Sequence, residues 1–199
     1  MSSYSFGGTP YIIWPVDKNG QIAIEMLRNP ATKGTHSSDD RELDGPWVPI
    51  NAGDHIVWSA WFLTTASSQN DSNPDHGARL GINMYSSTGK ICEIDSPNGL
   101  EDYGNTWSTY NMSLLVVPWG TDTWTKVTMD FTVQSTYYAD GLGGAYAAGT
   151  AVTPTGFIPW VCAESNSWVN YPTTAENGVI YVYGAELYVN STAVSVFPG

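Results

Sequence analysis

Alternation at a period of two residues, with no convincing stretch of helical period, is what most limits the fold of this chain. Ala78-Arg79-Leu80-Gly81-Ile82-Asn83-Met84-Tyr85 is the cleanest case. Successive side chains of a strand point to opposite faces, so Ala78, Leu80, Ile82 and Met84 face one way and Arg79, Gly81, Asn83 and Tyr85 the other. Residues 124–133 repeat the pattern, with Val127, Met129, Phe131 and Val133 inward. Residues 55–63 are too few and too rich in Trp for a helix, and read as a strand with Ile56, Trp58, Ala60 and Phe62 inward. Ile22, Ile24 and Met26 alternate directly after Asp17-Lys18-Asn19-Gly20, a hairpin turn signal. Residues 157–164 and 179–189 supply two further strands. Residues 32–49 read as a polar loop and 137–155 as a long Gly- and Ala-rich surface loop, while 97–120 are loop-rich with a short apolar run at 114–117. Many short strands between Gly, Pro and Asn turns predict an all-β fold. The expected form is a jelly-roll β-sandwich of two antiparallel sheets, with residues 1–199 as a single domain, since no linker or internal repeat interrupts them.

Composition then narrows the partners. Nine tryptophans and twelve tyrosines stand against only seven lysines and arginines, and the net charge is −12. Nucleic acid and anionic membranes are excluded as partners, because phosphate binding needs clustered basic residues. No apolar run approaches the roughly 20 residues that span a bilayer, so membrane insertion is not expected. Tryptophan is seldom buried completely, and an excess of it marks a contact surface. A neutral, hydrated ligand with flat apolar faces suits such a surface, and sugars have that chemistry. Cys92 and Cys162 are compatible with two reduced buried thiols or with one disulfide. Asn70, Asn111 and Asn190 open glycosylation sequons, which an extracellular protein can carry.

The order of five segments resembles that of jelly-roll carbohydrate-binding modules of families 4, 9, 16 and 22. These segments are Gly53-Asp54-His55-Ile56-Val57-Trp58-Ser59-Ala60-Trp61, the strand 78–85 with its continuation Ser86-Ser87-Thr88-Gly89-Lys90, Trp124-Thr125-Lys126-Val127-Thr128, Ile158-Pro159-Trp160-Val161 and Val179-Ile180-Tyr181-Val182-Tyr183-Gly184-Ala185-Glu186-Leu187. Such modules accompany secreted glycoside hydrolases, and the likeness covers roughly residues 50–190. It implies an outward sheet face that meets a glycan, with β-glucan or xylan as the ligand class. It also implies that the chain is part of a larger secreted protein, extracellular or at the cell surface. Carried over strand by strand, the ligand-binding residues are Trp61, Arg79, Asn83, Tyr85, Trp160 and Glu164, with Ser59 and Cys162 on the same outward positions. The resemblance further implies a structural calcium ion, although the position of the family's aspartate before the last strand's Leu187 is taken here by Tyr183 and Gly184, with Glu186 adjacent to Leu187. The acidic run Asp39-Asp40-Arg41-Glu42-Leu43-Asp44 is either an alternative site or a solvated loop.

Two rival functions stay open. One is a structural jelly-roll subunit of an extracellular layer or filament, whose aromatic residues pack against neighbouring subunits. The other is a small glycoside hydrolase, which needs two opposed carboxylates about 5–9 Å apart. Glu93 and Asp95 begin like the Glu-x-Asp-x-x-Glu strand of laminarinase-type hydrolases, but Asn98 stands near the place of the second glutamate. His36, His55 and His76 have no spacing suited to a nucleophile or a metal.

Overall fold

The alternating segments become strands of two antiparallel sheets. A computed structural model describes residues 2–6, 9–27, 41–65, 77–95, 99, 115–141, 143–163 and 179–197, and no helix occurs among them. The first sheet has the order β1 (Ser2–Phe6), β2 (Thr9–Lys18), β3 (Gln21–Leu27), β14 (Val179–Val189), β6 (His55–Thr64) and β10 (Thr125–Thr132), and β15 (Thr192–Val194) adds to β14. The second has the order β4 (Arg41–Asp44), β13 (Gly156–Ala163), β7 (Gly77–Tyr85) and β8 (Lys90–Ile94), with β5 (Val48–Pro49) on β13 and β9 (Val116–Pro118) on β7.

The inward positions read from alternation line the space between the sheets. Ile56, Trp58, Ala60 and Phe62 of β6, and Ala78, Leu80, Ile82 and Met84 of β7, are all fully buried in one apolar core. Met129, Phe131 and Val133 join them, and Val127 packs at the margin. Trp58 crosses between the layers, its indole N–H donating to the Gly81 carbonyl at 3.1 Å. These contacts make the architecture a β-sandwich, whose sheets pack about 10 Å apart.

Local sequence explains the turns and one apparent anomaly. Asn19 and Gly20 both have positive φ (52° and 78°), the geometry of the tight hairpin turn that closes β2 on β3. Ile24 and Met26 of that hairpin are buried, while Ile22 at its tip stays 65% exposed. Pro159 sits in a strand with neighbours on both sides, where a missing N–H is usually excluded. Its carbonyl accepts from the Gly45 N–H at 2.7 Å. The N–H and C=O of an extended residue point the same way, so the missing donor faces the gap between β5 and β4. Gly45 stands opposite it there, in the break between the two short strands, so the proline costs the sheet only the reciprocal bond of one pair.

Two expectations are corrected, and an open alternative, the state of the two cysteines, is decided in favour of reduced buried thiols. Residues 41–44 of the acidic run form strand β4 on β13, because their backbone completes that edge of the second sheet; Asp39 and Asp40 lie outside the described residues. Residues 137–155 hold a small hairpin, β11 (Tyr137–Tyr138) with β12 (Ala151–Val152), and Tyr137 is 1% exposed within the core. The two cysteines are not joined: Cys92 lies opposite Met84 on the inner face of the second sheet, and Cys162 opposite Arg79 on its outer face. A disulfide cannot form through the sheet that separates them.

Candidate ligand-binding faces

The outer face of the second sheet gathers most of the residues expected to bind. Arg79, Gly81, Asn83 and Tyr85 follow one another along β7, and β13 places Cys162, Trp160, Ile158 and Gly156 directly opposite them. On the other side, β8 sets Glu93 opposite Asn83. Arg79 Nη1 meets Asp95 Oδ2 at 3.5 Å, and Lys90 Nζ meets Glu93 Oε2 at 3.2 Å. The Arg79–Asp95 pair is largely buried, whereas the Glu93 side chain is 43% exposed. Glu93 and Asp95, the candidate carboxylates of a hydrolase, therefore each bridge a cation of the same sheet. Asn98 lies outside the described residues, as does Glu164.

Trp160 occupies its expected outward position but is 2% exposed. Its ring lies flat on Gly81, where an added Cβ would come within 2.2 Å of the indole Cζ2. Gly81 is thus covered on its outer side by Trp160 and bonded on its inner side by Trp58. In this arrangement Trp160 contributes packing and offers a ligand almost no surface. Asn83, also nearly buried, is in the same position.

Among the described residues, the most exposed ring on this face is one that alternation could not reveal. Trp47, just before β5, is 49% exposed and lies against Gly156, whose added Cβ would meet its Cζ2 at 2.1 Å. Its ring meets Tyr85 edge-on, with centroids 5.6 Å apart and an interplanar angle of 63°. One indole face is therefore seated on backbone, one edge is fixed by a second aromatic ring, and much of the remainder is open to solvent. The sequence carries a signal for it in hindsight: Trp47 follows Pro46 and precedes Val48-Pro49, a rigid setting for a large ring.

Trp61 is not on this face. It points outward from the first sheet, on the opposite side of the sandwich from Arg79, Asn83, Tyr85 and Trp160, because Trp58 and Ala60 of the same strand fill the core. The expectation of one face holding all six residues fails for that reason. Trp61 has its own aromatic company. Tyr183 of β14 is directly opposite it and stacks at 5.9 Å and 16°, and Trp124 meets Tyr183 edge-on at 4.6 Å. All three rings are half-buried.

A β-bulge builds this second cluster. Tyr183 pairs with Trp61 and Glu186 with Ser59, so Gly184 and Ala185 together oppose Ala60. Gly184 takes φ +58°, the left-handed conformation that such a bulge requires. The extra residue brings Tyr183 and Glu186 to one face, although they are three apart. Glu186 Oε2 then meets Lys126 Nζ at 3.3 Å beside Trp61. At the far side, Lys18 Nζ lies 4.6 Å from the centre of the Tyr181 ring. Burial pushes the Tyr181 phenol up to about 12, and its hydrogen bond to Glu25 and that carboxylate's charge add to the shift, so the ring stays neutral. The Trp124 indole nitrogen is shielded from solvent and has no acceptor among the described residues. A buried donor in that condition costs about 1–3 kcal/mol.

Tyr183 and Gly184, which take the position where the family resemblance would place a calcium ligand, lie at this bulge, and Glu186 pairs with Lys126. Among the described residues no group of three or more His, Cys, Asp or Glu side chains is placed to hold a metal ion. No helix among them is long and apolar enough to cross a membrane. A scan against protein-family models finds no match for this chain, and a search of curated proteins finds none either.

Proposed function

We propose that this protein is a non-catalytic carbohydrate-binding module that takes a polysaccharide, β-glucan or xylan, on the outer face of its second sheet. The observation that carries the reading is Trp47: an exposed indole seated on Gly156 and braced by Tyr85. A ring fixed in this way stacks on the C–H face of a sugar with little further loss of side-chain freedom. Burying roughly 60–80 Å² of sugar face contributes about 2 kcal/mol at ~25 cal/mol per Å². Tyr85 and Glu93, with the buried Asn83 and Arg79–Asp95 pair behind them, supply polar groups for hydroxyls along the same row. The setting is a secreted or surface-displayed protein, as the family resemblance implies.

The test is affinity for soluble β-glucan and xylan in Trp47→Ala and Gly156→Ala. Trp47→Ala is expected to stay folded and to bind about thirtyfold more weakly, the equivalent of about 2 kcal/mol. Gly156→Ala keeps the indole but lifts it from its seat, and a smaller loss is expected. A folded Trp47→Ala protein with undiminished binding overturns this site. Concentration-dependent assembly on a sizing column without glycan binding would favour the structural subunit instead.

Calcium belongs to the proposal only through the resemblance and the acid excess, 19 acidic residues against 7 basic ones, because the described residues offer no site for it. Chelation followed by re-addition decides the point. A site filled at a hundred times its dissociation constant adds about 2.7 kcal/mol, which raises the melting temperature of a domain this size by roughly 5–10 °C. An unchanged melting curve removes calcium from the account.

A further inference from the structure

The aromatic cluster on the first sheet is left unused by the reading above, and it lies on the opposite surface of the sandwich. We infer that Trp61, Tyr183 and Trp124 form a second, independent binding site for a neutral, hydroxyl-rich ligand, an oligosaccharide segment, so that one molecule can hold two chains.

Three observations point to that chemistry. The first is the bulge at Gly184, which interrupts the regular pairing of β14 with β6 and places Tyr183 and Glu186 on one face with Trp61. Bulges that re-aim side chains in this way are concentrated near functional sites. The second is local charge. The chain as a whole carries −12, yet beside these rings Lys126 pairs with Glu186, and Lys18 lies over Tyr181, whose phenol bonds Glu25. Paired opposite charges of this kind leave no unmatched cation or anion of their own to recruit a charged ligand, and suit an uncharged one. The third is the Trp124 indole N–H, a donor without an acceptor among the described residues at the edge of the cluster. Because that nitrogen is shielded from solvent, a sugar hydroxyl meets it only when the Trp124 ring turns outward on binding, and then supplies the missing acceptor while the ring faces take the apolar side of the sugar. Lys126 and Glu186, both well exposed, offer a donor and an acceptor within one sugar's width.

This inference shares its ligand class with the proposed function but rests on different residues, so the two can fail separately. The full chain, labelled to report indole N–H resonances, is titrated with cellohexaose, laminarihexaose and xylohexaose. The Trp124 resonance is assigned by its loss in Trp124→Phe. The expected result is a saturable shift of Trp124 with at least one hexasaccharide, and the same shift in Trp47→Ala, whose opposite face is disabled. Trp61→Ala is expected to weaken this binding about thirtyfold. Trp124→Phe, which keeps a ring and removes only the donor, is expected to weaken it about fivefold by calorimetry of the Trp47→Ala background. If no hexasaccharide moves the Trp124 resonance, the second site is overturned. It is also overturned if the shift vanishes in a folded Trp47→Ala protein, since Trp124 then only senses the other face. Unaltered hexasaccharide binding in Trp47→Ala/Trp124→Phe excludes the role of the indole donor and overturns the site as drawn.

Discussion

Trp58→Ala is expected to lower the melting temperature by roughly 6–20 °C, from a loss of about 3–5 kcal/mol. Trp58 is completely buried and is among the largest side chains of the core. Its removal leaves a cavity between the sheets and strips the Gly81 carbonyl of the indole donor at 3.1 Å. Net stabilities of domains are about 5–15 kcal/mol, so this single change removes a large share. Trp61→Ala, three residues away on the solvent side of the same strand, is the matched control. Its ring is half-buried, and a much smaller shift in melting is expected. Thermal and urea unfolding of both variants check the register of β6. The reverse pattern, a stable Trp58→Ala and a collapsed Trp61→Ala, would falsify the inward and outward assignment of the strand.

The second large effect is a coupling between Gly81 and Trp160. Gly81→Ala places a methyl group within 2.2 Å of the indole Cζ2 and 2.6 Å of Cη2, and overpacking of this kind costs about 1–3 kcal/mol. Trp160→Ala removes a side chain that is 2% exposed and is expected to cost about 3–5 kcal/mol. The double variant should be no less stable than Trp160→Ala alone, because the methyl group then meets no ring. A double-mutant cycle from urea unfolding measures this directly. Additive losses would mean that Gly81 is required for a reason other than the indole above it. The outcome also bears on function: a Trp160 that acts by packing changes stability first and affinity only in consequence.

Several of these positions are legible in the sequence, and others cannot be. A strand announces its two faces through its period, and burial of one face against another sheet enforces it. Alternation alone therefore places Ile56, Trp58, Leu80, Ile82, Met84, Met129 and Phe131 in the core, and Asp17-Lys18-Asn19-Gly20 reads as a hairpin turn. Alternation identifies a face within one strand but does not say which sheet the strand joins. Trp61 and Arg79 both read as outward, and only the pairing of β6 with β14 and β10, and of β7 with β13 and β8, sends them to opposite surfaces. Outward also differs from exposed: Trp160 and Asn83 point away from the core and are nonetheless buried. The bulge at Gly184 shifts the parity of β14 by one residue, which brings Glu186 beside Lys126 against the simple count. Trp47 lay in a segment without any period, and its role arises from Gly156, more than a hundred residues further along the chain. The local period of the backbone was enough to define a β-sandwich and its core. Which rings meet solvent, and on which side, depended on strand pairing, bulge position and contacts between distant residues, none of which has a local counterpart in the sequence.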